Sequence, residues 1–172
     1  MTLILALLLS IATPEELATK FCTVYLKQGA FGVLEGKARR ELKPFLSKRL
    51  LQQADDLRAC QADWYRQQPK GSTDKPPMVD CCLLSGIADG PPNRFSIARI
   101  ETLPGARHRV VINYAIENAS EVIRWRDALI ITKESGRYVI DDIVFDVDAD
   151  PPREATALSA GYDGCRGRKW VE

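Results

Sequence analysis

Asp127 is the residue best placed for chemistry. It lies in an alternating run, Ile123, Trp125, Asp127, Leu129 and Ile131, whose other members are apolar. A carboxylate on such a face has the makings of a desolvated general base. Tyr114 occupies the apolar side of a neighbouring run, Val110, Ile112, Tyr114 and Ile116, and a phenol there can donate to an oxyanion. Arg99 offers a cation to neutralise an anionic ligand, and Trp125 supplies an aromatic wall. These four residues form a candidate pocket, and the enzymatic reading of it is a small pocket enzyme. The competing reading of Asp127 is structural: a strand-end residue within reach of solvent, bonded to backbone or to a neighbouring arginine such as Arg99 or Arg109.

Other catalytic sets fail on their parts. The single histidine, His108, stands beside a Pro104-Gly105 turn and is expected to face solvent. One such residue cannot complete a Ser-His-Asp or Cys-His arrangement. Asp141 and Asp142 are adjacent in a strand, so their side chains are expected on opposite sides. Asp146, Asp148 and Asp150 are spaced like calcium ligands, but no glycine-turn loop with a closing Glu comes after them. No metal or other cofactor is therefore expected.

Five cysteines carry the remaining chemistry: Cys22, Cys60, Cys81, Cys82 and Cys165. There is no Cys-x-x-Cys, which removes the usual zinc pattern. Five cysteines in a small exported chain favour disulfides with one thiol left over. Cys60 is expected to bridge to Cys81 or Cys82, with Cys165 tied to the other, leaving Cys22 free.

Export is read from the first twelve residues, Met-Thr-Leu-Ile-Leu-Ala-Leu-Leu-Leu-Ser-Ile-Ala. The apolar run is shorter than the roughly 20 residues that span a bilayer, and it suits a signal-peptide core. Ser10 and Ala12 are small residues at the positions a signal peptidase reads, so residues 1–12 are expected to be removed. A retained amphiphilic helix is the other reading, because no Lys or Arg precedes the run. The expectation is a periplasmic or secreted protein with no membrane span. Its 172 residues suit one domain from residue 13 to 172, less regular from about residue 146. A net charge of +1, with 27% charged residues, gives no electrostatic footprint for nucleic acid.

Helices come first and strands last. Thr13-Pro14-Glu15-Glu16 opens a helix with a cap, a proline at the first position and acids in the first turn. Its apolar face is Leu17, Phe21, Val24 and Tyr25, and Gly29 and Gly32 close it. A short helix over 35–45 is broken by Pro44. Ser47 caps a third helix of about twenty residues, with Leu50, Leu51, Ala54, Leu57, Cys60 and Trp64 as its inner stripe. Four strands come next, over 95–103, 108–117, 122–133 and 137–145. The Pro104-Gly105, Asn118-Ala119-Ser120-Glu121 and Lys133-Glu134-Ser135-Gly136 turns separate them. Such an order predicts an α+β domain, with helices on one face of a curved antiparallel sheet. Phe21, Phe45, Trp125, Leu129, Val139 and Ile143 are expected to share its core.

Leu42-Lys-Pro44-Phe45-Leu46-Ser47-Lys-Arg-Leu50, with a long loop, a meander and Val139-Ile140-Asp141-Asp142-Ile143-Val-Phe145 after it, resembles a known family. It is the domain-of-unknown-function 3828 family of small exported bacterial proteins. Phe21, Tyr25, Trp125, Asp127, Leu129 and Glu134 also match, and the likeness covers roughly residues 13–145. It implies the nuclear transport factor 2-like (cystatin-like) fold, a cone of helices on a strongly bent sheet, and it implies no activity. That fold also hosts isomerases and dehydratases with an acid or a histidine in the cone's pocket, which makes an enzyme of that type, using Asp127 and Tyr114, the alternative reading. Three features depart from the pattern: there is no lipobox, Tyr138 stands where Trp is usual, and the five cysteines look like a local elaboration. The function expected is non-enzymatic binding of an unidentified protein or small molecule. A homodimer built on the sheet face is a further reading.

Overall fold

The computed structural model describes residues 13–29, 34–74, 90–145, 147 and 165–171. The expected signal segment, Cys81, Cys82 and the aspartates at 146, 148 and 150 lie outside the described residues.

Helix α1 covers Pro14–Gln28. Thr13 caps it, its hydroxyl accepting from Glu16 N at 3.1 Å. It ends at Gly29, which adopts φ 53° and donates back to Tyr25 O and Leu26 O. That left-handed conformation is open to glycine and costly for a residue with a Cβ. Helix α2 is Gly36–Leu42, and a 3-10 turn over Lys43–Phe45 succeeds it, because Pro44 lacks the amide that would continue the helix. Helix α3, Lys48–Gln67, begins at Ser47, whose Oγ accepts from Leu50 N at 3.0 Å. Its buried stripe of Leu50, Ala54, Leu57, Cys60 and Trp64 keeps to the helical repeat.

Strands β1 (Arg94–Leu103), β2 (Arg107–Glu117), β3 (Val122–Glu134) and β4 (Arg137–Val144) form one antiparallel sheet in sequential order. A two-stranded hairpin of β5 (Cys165–Arg166) and β6 (Lys169–Trp170) stands apart from it. The α+β class is as expected. The expected strong curvature is absent: the sheet is not strongly curled.

The core lies between the helices and one sheet face. Leu17, Phe21, Leu42, Leu50 and Leu57 meet Val110, Ile112, Leu129, Ile140 and Ile143 there. Phe45 and Trp125 are half-buried against it. Val139 is a correction. It is fully buried but outside this cluster, where Ile140 takes its place. The cause is a bulge on β4. Ile130 pairs with Asp142 and Ile131 pairs with Ile140, so Asp141 is an extra residue and the alternation changes phase.

The same bulge overturns only the expectation that Asp141 and Asp142 face opposite sides. Both carboxylates reach one guanidinium, Arg49 Nη2 lying 3.1 Å from Asp141 Oδ2 and 3.4 Å from Asp142 Oδ2. Arg49 also donates to the Asp141 carbonyl. Burial works to raise both acids. For Asp141 the bonds from Arg49 prevail and hold it below 3.8, whereas for Asp142 burial prevails and raises it above 3.8.

The disulfide pairing also differs from expectation. Cys60 bridges to Cys165, 105 residues away, with Cα atoms 6.0 Å apart. Cys22 is buried and takes no part in a bridge. Asp56, Cys60, Asp63 and Gln67 recur at helical spacing and form the strip of α3 that receives the hairpin. Arg168 Nε donates to Asp56 Oδ1 at 2.9 Å, Trp170 N to Asp63 Oδ2 at 3.0 Å, and Gln67 Nε2 to Trp170 O at 3.3 Å. The Trp170 amide holds the Asp63 carboxyl below its ordinary value.

Candidate functional site

Three of the four expected pocket residues come together. Tyr114 pairs with Trp125 across β2 and β3, and Ile112 with Asp127. The two rings lie 5.6 Å apart. Trp125 Nε1 donates to Asp127 Oδ2 at 3.0 Å. Arg99 does not join them. It is bonded to Glu101, Nε to Oε1 at 2.6 Å, and Arg109 lies 3.9 Å from the same carboxylate. Arg99 and Arg109, expected as partners of Asp127, both reach Glu101, and Asp127 accepts from the Trp125 indole.

Helix α1 closes this cluster from above. Cys22 Sγ and Tyr114 Oη are 3.3 Å apart. Tyr25 meets Tyr114 edge to face at 6.4 Å and stacks on Phe21 at 5.8 Å. Asp127 is 0% exposed and Tyr114 1%, so neither presents its polar atom to solvent. The sequence suggested a strand end within reach of water. The structure places Asp127 in mid-strand, fully buried and bonded to the Trp125 indole. Burial pushes the Cys22 thiol up to about 12, and the Tyr114 bond opposes that only in part. Burial also raises Tyr114 well above 10.0, with Cys22 adding to it. At neutral pH the thiol and the phenol are therefore protonated, and neither is a nucleophile or a base.

His108 is half-buried rather than exposed, its ring 5.7 Å from Tyr138 and at a steep angle to it. It has no acid–base partner of the triad kind. Among the described residues no group of three or more His, Cys, Asp and Glu is arranged to hold a metal ion. No helix among them is long and apolar enough to cross a membrane.

An open concavity adjoins the Asp127 cluster and shares Tyr114 and Trp125 with it. A groove of about 870 Å³ runs over the ends of β1, β2 and β3. Strand alternation supplies its polar lining. Arg94 pairs with Ala115 and Ala115 with Arg124; Ser96 pairs with Asn113 and Asn113 with Arg126. These residues alternate with Phe95, Tyr114 and Trp125, which complete the lining with Glu117. Arg126 Nε donates to Asn113 Oδ1 at 2.7 Å, and Asn113 Nδ2 to Ser96 Oγ at 3.1 Å, a polar chain across three strands. Arg94 Nε donates to Glu117 Oε2 at 3.1 Å. Among the described residues nothing pairs with the Arg124 guanidinium. Among the described residues the lining of the groove includes three arginines and one carboxylate.

Sequence reasoning named Tyr114 and Trp125 and missed Arg94, Asn113, Arg124 and Arg126. The signal was present as Arg124 and Arg126 alternating with the inner face of β3, but it needed the register with β1 to become a site.

No family model, no curated protein and no solved structure matches this chain.

Proposed function

We propose that this chain is an exported, non-enzymatic binding domain whose arginine-lined groove takes an acidic segment of a partner protein. The observation that carries this reading is a contrast in exposure. Asp127 is fully buried, whereas Arg94, Arg124 and Arg126 stand exposed around an open groove. Arginine suits carboxylates because its fork of donors matches them two to two. The Arg126–Asn113–Ser96 chain favours a fixed cationic wall.

Export rests on the signal-like first twelve residues and is consistent with a disulfide between Cys60 and Cys165. Membership of the domain-of-unknown-function 3828 family, and with it a nuclear transport factor 2-like topology built on a less curled sheet, is part of the same proposal and rests on the sequence blocks alone.

The test is a calorimetric titration of the protein with a hexaglutamate peptide at low salt. Binding that weakens steeply with salt, and at least tenfold in Arg124→Glu, supports the reading. Binding that is absent, or unchanged in Arg124→Glu and Arg126→Glu, rejects it.

A further inference from the structure

We infer that two copies of this chain pair edge to edge through β1, antiparallel, in a register set by the strand's own bulge. Strand β1 is the outer strand of the sheet, and its far edge has no strand partner among the described residues. The other edge is managed differently: Leu46 bridges to Ile140 of β4, and Ser47 N donates to Ile140 O at 2.8 Å. A ten-residue edge left unpaired among the described residues is a template for another strand.

A second copy fits because β1 is complementary to its own reverse. Phe95 and Ile97 pair with the core residues Tyr114 and Ile112 and therefore face the helices. At Ala98 the register shifts, so that Ile100, opposite Val110, faces the same way, while Arg99 and Glu101 face outward with Arg94 and Ser96. Antiparallel partners must point to the same side of a sheet. When Arg94 is set opposite Glu101 of the second copy, Phe95 falls opposite Ile100 and Ser96 opposite Arg99. Each pair then shares a face, which an unbulged strand in that register would not allow. Two-fold symmetry makes every pair reciprocal. Two Arg94–Glu101 pairs flank the junction on one face. On the other, Ile100, 42% exposed in a single chain, is covered twice. Charges on an edge strand ordinarily repel further strands; the opposite signs at the two ends of this one attract its own copy.

Sedimentation equilibrium of the full chain at about 100 µM is expected to give twice the monomer mass, falling to the monomer mass in Ile100→Lys. Arg94→Glu and Glu101→Arg, each alone, place like charges opposite each other twice and should both be monomeric. An equimolar mixture of these two variants restores both opposite-charge pairs, so it should dimerise although neither does alone. Circular dichroism and a denaturation midpoint establish that each variant is folded before its mass is read. A monomeric wild type overturns the proposal. So does a folded single variant that stays dimeric, or a mixture that stays monomeric. Mass is read without any acidic ligand, so failure here is distinct from failure of the groove reading.

Discussion

Replacing Cys60 and Cys165 together by alanine tests the joint that holds the C-terminal hairpin. The bridge closes a loop of 105 residues that includes the last turns of α3 and the whole four-stranded sheet. In the chain-entropy account a loop of that length restricts the unfolded ensemble by about 4.7 kcal/mol at 25 °C. Strain and residual unfolded structure commonly reduce this, so a loss of about 2–5 kcal/mol is expected. For a domain of this size each kcal/mol moves the melting temperature by about 2–4 °C, so a fall of roughly 5–20 °C should accompany it. A local effect comes with the global one. Without the bridge the hairpin is held chiefly by the contacts at Asp56, Asp63 and Gln67, each worth about 1 kcal/mol or less near solvent. Amides of residues 165–170 should therefore exchange with solvent faster than those of β2 and β3. Urea denaturation of wild type and the double variant, both without reductant, gives the global number. A difference under about 0.5 kcal/mol, with unchanged exchange in the hairpin, would refute the reasoning.

Two further outcomes are expected of the buried and paired groups. Cys22, sealed by α1 and raised to about 12, should resist iodoacetamide at pH 8 in the folded protein and react once urea unfolds it; labelling in the native state as fast as a free peptide thiol would show that the helix does not seal the cluster. Acid should loosen the protein through Asp63, held low by the Trp170 amide, and Asp55, held low by Arg39. Their folded values lie below 3.8, so the unfolded chain binds protons first as pH falls. The stabilisation is complete above the unfolded value and is lost as pH drops through the folded one. Unfolding midpoints in urea should therefore fall steadily below about pH 4, and flat midpoints down to pH 2.5 would contradict the pairing.

Local chemistry made most of the architecture legible. Thr13 and Ser47 announce their helices because a hydroxyl before a helical run has backbone amides to satisfy. The four strands are marked by β-branched alternation and turn residues, within a residue or so at each end. Ala98 and Asp141 were not legible as bulges, because an extra residue leaves no mark in composition; it only reverses the phase of the residues beyond it. That reversal misplaced Val139 and separated Asp141 from Asp142 in the sequence reading. The bridge from Cys60 to Cys165 was hidden because pairing is decided by three-dimensional proximity. Proximity in sequence to the end of α3 favoured Cys81 and Cys82 instead. The burial of Asp127 was half visible: its apolar neighbours were read, but the lid of Phe21, Tyr25 and Cys22 is a property of how α1 crosses the sheet.

Trp125 belongs at once to the groove and to the sealed cluster, lining the first and bonding Asp127 in the second. Its indole is therefore stiff. Tilting the ring to suit an incoming ligand would strip a buried carboxylate of a donor, a penalty of the order of 1–3 kcal/mol. A wall held in this way loses little conformational freedom when a ligand arrives, and that saving appears as affinity. The same stiffness limits choice: a bulky group that needs the wall to give way is refused, while a slender carboxylate side chain can meet the arginines without disturbing it.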